Sequence, residues 1–427
     1  MTASRREVGG LPLVPGGSLA RGQRSLLDPN RRYPLWPPLL HGDPDGPPGP
    51  VQYPVDVWYD LTALRSALFD RAPATGLSHW QPLLPPLAPE VDLGAGRTPL
   101  LAAPCLAEFA GFDDELLVKD ESRNPTWSHK DRLNAVAVSA AVQSGAPGVV
   151  AASSGNYGAS AAAHAARAGL HCVVFTAVDT PAPMPAFLAA YGAAVLAVPR
   201  SARWRLVSEV VERLGFHPVS NLTATHTGHP FGPEGYKTIA YEIHQQLGDR
   251  APAAVLVPTG YGELLFGLWK GFEELRELDR IDAVPRMIAC EPSARGPLGA
   301  ALRAAAPAAE VPERPTRAHS IGTTVSGYRA VLAITKSDGL AVAVDDAELE
   351  DAQRAMAQIG LWQELSGAAG LAGLRSLVKS DRAPSGPVVC IATSSGFKSL
   401  AEPAGDVAEV APDWPAVRAA LAAQGVT

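Results

Sequence analysis

From Leu116 onward the chain alternates between short aliphatic runs and longer segments with helical period. No other feature of the sequence restricts the fold as strongly. A strand that is apolar along its whole length needs cover on both faces, and a helix between two such strands supplies it through a right-handed crossover. The first run reads as strand Leu116–Lys119, helix Lys130–Gln143, strand Gly148–Ser153 and helix Asn156–Ala168. It continues with strand His171–Ala177, helix Ala182–Tyr191, strand Ala194–Val198 and helix Arg203–Leu214. A second run has helix Gly235–Leu247, strand Ala253–Val257, helix Gly262–Leu278 and strand Arg286–Cys290. After a loop-rich stretch come helices Gly327–Ser337, Asp346–Ile359 and Ser366–Val378, then strand Pro387–Ala392. The pattern predicts an α/β fold with parallel sheets flanked by helices.

Upstream the periodicity is weak. Residues 1–50 hold ten prolines and eight glycines and read as an irregular arm that wraps the body or pairs with a second subunit. Tyr33, Leu35, Trp36, Leu39 and Leu40 are its candidates for burial, and a short helical pattern from Val55 to Phe69 follows. At 427 residues there is room for two core-bearing lobes. A net charge of −7 argues against a nucleic-acid partner, and the Arg200–Arg205 cluster reads as a solvated helix face. Cys105, Cys172, Cys290 and Cys390 are widely spaced, which excludes a cysteine zinc site and predicts buried free thiols. No apolar run reaches the roughly 18 residues of a membrane span, and the N-terminus has no signal-peptide core. A cytoplasmic protein without a membrane partner is expected.

Three polar turns follow three of the predicted strands. In "VPTGYGELLF", Gly260 and Gly262 lie between a strand and a helix start, where free N–H groups and the helix dipole suit a phosphate. The same turn also reads as a plain strand–helix connection, and Glu263 would repel a phosphate unless its side chain points away. "SSGNYGAS" places Ser153, Ser154 and Asn156 at a helix start, as carboxylate donors or as simple N-caps. "TSSGF" sets Thr393, Ser394 and Ser395 at the C-terminal end of another strand, where parallel sheets gather their binding crevices. The convergence of the three turns is more specific than any one of them.

Lysine is scarce, seven residues against 29 arginines. Lys130, in "NPTWSHKDRLNAV", is the one that follows a strand and a turn at a helix start. There the dipole and partial burial lower an ammonium pKa, as Schiff-base chemistry requires.

"NPTWSHKDR" resembles the N-P-T-G-S-F-K-D-R lysine motif of threonine synthase and its relatives among the fold type II (tryptophan synthase β-like) pyridoxal-phosphate enzymes. "DLGAGRTPLL", "SSGNYGAS", "EGYKTIAYEI", "VPTGYGELLF" and "TSSGFK" resemble further motifs of that family in the same order, over about residues 76–400. The resemblance implies a two-lobed enzyme with pyridoxal 5'-phosphate between the lobes. Residues 51–122 and 223–427 would form the large cofactor-binding domain, and 123–222 the small mobile one. Lys130 would hold the cofactor and shuttle protons, Asn156 would meet the ring hydroxyl, and Thr393 the pyridine nitrogen. Gly260, Tyr261, Gly262, Glu263 and Leu264 would wrap the phosphate. Ser153, Ser154 and Thr126 would receive the substrate carboxylate, and Trp127, Ser128, His129 and Tyr157 would line the substrate side. The implied activity is elimination or replacement at the β or γ carbon of an amino acid, by a carbon–oxygen lyase that forms a homodimer.

The departures narrow this. Trp127 stands where the family has Gly, His129 where it has Phe, and Tyr261 where it has a small residue. Gly232 stands where threonine synthases carry an arginine for the phosphate of O-phosphohomoserine, so a phosphorylated substrate lacks an expected cation. Rival activities are a β-replacement synthase of the cysteate- or diaminopropionate-forming type and a serine/threonine dehydratase-type ammonia-lyase. A cofactor-free pseudoenzyme is the non-catalytic rival. His226 and His229 have H-x-x-H spacing in a Gly/Pro-rich loop and read as substrate-lining or solvated, with no metal expected. Glu364 and Ser366 resemble a family helix entry, and Ser366 reads as the N-cap of a core helix.

Overall fold

The computed structural model describes residues 7–8, 11–12, 17–64, 68–70, 76–180, 183–398 and 410–423. A short antiparallel pair, Glu7–Val8 with Leu11–Pro12, precedes strands β1 (Ala20–Ser25), β2 (Arg32–Tyr33), β3 (Val55–Tyr59) and β4 (Leu100–Ala102). Helix α1 (Pro104–Ala110), β5 (Leu116–Asp120) and α2 (Lys130–Gln143) follow. Next come β6 (Gly148–Ala152), α3 (Asn156–Arg167), β7 (His171–Ala177), α4 (Pro183–Ala190), β8 (Ala194–Val198), α5 (Arg203–Leu214) and β9 (His217–Pro218). The chain continues with α6 (Gly232–Gln246), β10 (Ala254–Pro258), α7 (Glu263–Glu277), β11 (Arg286–Pro292) and α8 (Pro297–Arg303). Then come α9 (Tyr328–Lys336), β12 (Leu340–Val344), α10 (Asp346–Gln358), α11 (Ala369–Lys379) and β13 (Val388–Ala392).

Two sheets carry the fold. The six-stranded one runs β12-β11-β10-β13-β5-β4, parallel except for the edge strand β4. The four-stranded one runs β8-β7-β6-β9 and is parallel throughout. The strands of the larger sheet are apolar on both faces because both faces are covered. Val255 and Val257 of β10 enter one hydrophobic cluster, with α6 and α7. Ala254 and Leu256 enter another, with α1, α10 and α11. Each buried Val or Leu among them contributes about 1.5–3 kcal/mol of burial.

The N-terminal region corrects the sequence reading. Residues 20–59 form a three-stranded antiparallel sheet, β2-β1-β3, where an irregular arm and then a helix were expected. Val55 and Val57 are buried, and Asp56 between them is held by Lys270 and Arg24. The side chain of Gln23 binds the carbonyls of Pro34, Leu35 and Pro37 and the N–H of Leu39, so the proline-rich segment is ordered by side-chain bonds. The rest of the expected arm, residues 1–6, 9–10 and 13–16, lies outside the described residues. Strand β12 lies between two helices that the sequence placed in succession, and α8 lies in the stretch read as loop-rich. Cys172, Cys290 and Cys390 are buried free thiols, but Cys105 is exposed, contrary to expectation.

Candidate active site

The chain leaves the large sheet after β5, builds the small sheet, and returns through α6 to β10. Because β10, β13 and β5 are neighbours, the turns at their C-terminal ends lie side by side. Lys130 begins α2 beyond β5. Its backbone neighbours are tied to the turn after β13: His129 N–H donates to the Thr393 carbonyl at 3.0 Å, and Ser395 N–H to the Trp127 carbonyl at 3.0 Å.

The seven lysines separate by environment. Lys119 is buried against Glu242 at 2.7 Å, Lys237 against Glu234 and Glu274, both at 2.8 Å, and Lys270 against Asp56 and Glu234 at 2.9 and 2.6 Å. Lys398 donates to the Thr126 carbonyl, and Lys336 and Lys379 are exposed. Lys130 is partly buried with no ion pair or hydrogen bond at its Nζ among the described residues. The rings of Tyr157 and Tyr236 lie 5.3 and 5.6 Å from that atom. Burial pushes its pKa below the usual lysine value, while Glu263 and Glu364 pull the other way.

The other candidates fall around it. The first intrahelical bond of α7 runs from Phe266 N–H to the Gly262 carbonyl, so the N–H groups of Gly262, Glu263 and Leu264 have no intrahelical acceptor. Gly262 has φ of 87°, and a Cβ there would lie 2.3 Å from that of Ala330. Asn156 opens α3; its Nδ2 donates to Glu364 Oε2 at 3.0 Å and its buried Oδ1 has no partner. The hydroxyl of Ser153 accepts from the N–H groups of Gly155 and Gly158. That of Ser154 accepts from Ala177 N–H and lies 3.4 Å from Arg203 Nη1, so Arg203 turns inward from the helix face read as solvated. Tyr157 donates its hydroxyl to the Val219 carbonyl. Thr126 gives both its N–H and its hydroxyl to Asp131. Ser128 Oγ is buried without a partner.

His129 is buried, its Nδ1 3.2 Å from the Thr393 carbonyl and its ring 5.4 Å from Tyr236. Burial and the charge of Lys130 keep its pKa well below the ordinary value, so it is a neutral packing residue. Trp127 is 47% exposed with φ of 61°, and its ring meets Phe187 of α4 edge-on at 6.2 Å. The loop histidines are not solvated. His226 stacks on Tyr261 with centroids 4.0 Å apart, and His229 is buried with its Nε2 2.9 Å from that of His217. Among the described residues no group of three His, Cys, Asp or Glu is placed to hold a metal. Ser366 lies inside a 3-10 turn, Leu365–Ala368, and is not a helix N-cap.

Sequence reasoning gave no site role to Glu364, to the side chain of Glu263, or to Lys398. Glu364 is buried, and its pKa is raised by that burial against the bond from Asn156 and the charge of Lys398. A charged residue at the edge of an otherwise small and apolar stretch, "LSGAAGLAGL", was the available signal.

An unpaired lysine, a turn of uncommitted N–H groups in which Gly262 admits no Cβ, and an orphaned amide oxygen fit a phosphorylated aldehyde with a ring hydroxyl. Residues 91–394 match the family described as "Pyridoxal-phosphate dependent enzyme". The chain belongs to that family. It is 36% identical over 327 residues to threonine synthase of Synechocystis sp., covering 75% of this chain and 82% of that protein. It is also 36% identical to threonine synthase of Methanocaldococcus jannaschii, over 72% of this chain and 76% of that one. Among solved structures, a threonine deaminase from T.th. superposes with a TM-score of 0.60 at 25% identity, over 74% of this chain and 94% of the other. As a pyridoxal-phosphate enzyme of the threonine synthase-like, fold type II group, the protein is a lyase acting by elimination or replacement at the β or γ carbon of an amino acid. No described helix is long and apolar enough to cross a membrane.

Proposed function

We propose that Lys130 holds the cofactor covalently and moves the substrate's Cα proton through its Nζ. The observation that carries this is the lysine census: Lys130 alone combines partial burial, an unpaired Nζ and a lowered pKa. Bound pyridoxal phosphate supplies an electron sink for charge developing at Cα. The N–H groups of Gly260, Tyr261, Gly262, Glu263 and Leu264 hold its phosphate, the Asn156 amide its ring hydroxyl, and Thr393 its pyridine nitrogen. A hydroxyl at that nitrogen leaves it largely unprotonated, which favours elimination and replacement over transamination. Ser153, Ser154 and Ser128 receive the substrate carboxylate, with Thr126 and Tyr157 beside them. Trp127 and His129 shape the substrate side. Residues 123–222 form the mobile lobe, closing on a larger lobe of 51–122 and 223–427. We place the enzyme in the cytoplasm as a homodimer, which sedimentation would report as twice the chain mass. The purified holo-protein should absorb in the visible as a lysine-bound cofactor, and Lys130→Ala should abolish that band. A colourless protein that stays so with added pyridoxal phosphate would refute the reading.

A further inference from the structure

Asn156 and Glu364 reach each other from different sheets. Asn156 opens α3 after β6 of the smaller sheet, and Glu364 precedes the 3-10 turn Leu365–Ala368 near the end of β13 in the larger one. The backbone of Glu364 is fixed on both sides. Its N–H donates to the Ser394 carbonyl at 2.9 Å, and its carbonyl accepts from Gly367 N–H at 2.8 Å. The side chain of Gln363 donates to Asp120 at 3.2 Å and accepts from Ser394 N–H at 3.3 Å. Glu364 therefore belongs to the bonded frame that also ties the turn after β13 to Trp127 and His129. It is 7% exposed and Asn156 is 6% exposed. Oε2 of Glu364 accepts from Asn156 Nδ2 at 3.0 Å, and among the described residues the Asn156 side chain makes no other hydrogen bond. Burial raises the pKa of Glu364, against the bond from Asn156 and the charges of Lys398 and Lys130. Lys130 feels the same carboxylate, after burial and Glu263.

The two ends of an asparagine amide have nearly the same shape and opposite hydrogen-bonding sense. A carboxylate only accepts, so Glu364 selects Nδ2 and excludes the flipped amide, whereas a glutamine would satisfy either orientation. We propose that Glu364 is a positioning residue: by taking Nδ2, it presents the Asn156 amide to the cofactor's ring hydroxyl in one orientation only. The inference rests on the reading of Lys130 and Asn156 given above. In the lysine-bound cofactor one proton is shared between the ring oxygen and the lysine nitrogen, and the two placements absorb in the near ultraviolet and in the visible. An amide N–H at the ring oxygen favours the proton on nitrogen; an amide oxygen favours it on the ring. A fixed amide therefore fixes the ratio of the two bands.

The test is the absorption spectrum of the holo-protein at a single pH, which needs no turnover. Glu364→Gln should shift the ratio of visible to near-ultraviolet absorbance by about tenfold. A fall supports the proposal with Nδ2 as the end that meets the ring, and a rise supports it with Oδ1. Glu364→Asp, shorter but still acceptor-only, should stay closer to the wild type than the isosteric Gln variant does. Asn156→Ala should shift the ratio as well, and adding Glu364→Gln to it should then change the ratio by less than about twofold. A Glu364 that only filled space would reverse the order of the Asp and Gln variants, and that order overturns the proposal. One that acted directly on Lys130 would shift the ratio equally with and without Asn156, which also overturns it. So does a ratio that Glu364→Gln leaves unchanged. If Glu364→Gln takes up no cofactor, Glu364→Asp, alone and with Asn156→Ala, carries the same cycle. A missing cofactor band in the wild type, or one that survives Lys130→Ala, counts instead against the function of Lys130.

Discussion

Trp127 carries backbone strain at a single residue. A bulky side chain with φ near 61° is a conformational outlier, and the left-handed region costs a non-glycine residue about 1–2 kcal/mol. The strain is maintained by bonds from Ser394 and Ser395 to the Trp127 carbonyl, and the half-exposed indole rests against Phe187. Trp127→Gly trades that penalty against a glycine flexibility term of about 0.5–1 kcal/mol and the lost packing on Phe187, so the urea midpoint should stay within the equivalent of about 1 kcal/mol of the wild type. Trp127→Ala keeps the strain, loses the packing on Phe187 and should move the midpoint down. Combined with His129→Phe, the glycine variant should alter substrate preference; identical preference in the double variant would remove both residues from substrate selection. The sequence identified both positions as departures, but the backbone angle, and the neutral packed state of His129, required the folded chain.

At the level of elements, the junction of β9 and α6 is a histidine pair. His229 Nδ1 accepts from the N–H groups of Phe231 and Gly232 at the start of α6, so its proton resides on Nε2 and is donated to His217 Nε2. Both rings are buried and neutral, and burial lowers His217 to about 4. A histidine with a depressed folded pKa stabilises the fold fully above its unfolded value of about 6.5 and loses that contribution as pH falls toward 4. The drop from His217 is on the order of 3 kcal/mol, and thermal unfolding followed from pH 7 to 4 should record it. His217→Asn should flatten that part of the curve; an unchanged slope would show the pair is not responsible. Helix boundaries in this region were legible, since α2, β7, β8 and α5 have the ends that periodicity predicts. The β1–β3 sheet was not. Its strands are short and rich in charge, and Asp56, Arg24, Lys270 and Glu234, which offset one another there, come together across about 200 residues of sequence.

For the whole molecule, the turns that gather around Lys130 come from both sheets: those after β5, β10 and β13 from the larger, and the one after β6 from the smaller. A cofactor held by all of them ties the two sheets together and should raise the folding stability of both. Adding pyridoxal phosphate at about 100 times its dissociation constant should stabilise the apo-protein by about 2.7 kcal/mol, seen as a higher Tm, with most of the shift lost in Lys130→Ala. A Tm indifferent to the cofactor would contradict binding at this junction. From β5 to α5 the order of strands and helices, the polar turns at strand ends and the position of Lys130 were all set by the sequence alone. Each depends on residues within a few positions of one another, through side-chain period, turn chemistry and helix entry. Only the tertiary structure decided which lysines are paired and which one is not. It also decided that Glu263 faces His226, that Glu364 reaches Asn156, and that the loop histidines are buried. Those relations join residues that strand order brings together from distant parts of the chain, and their charge states follow from a burial that no local pattern encodes.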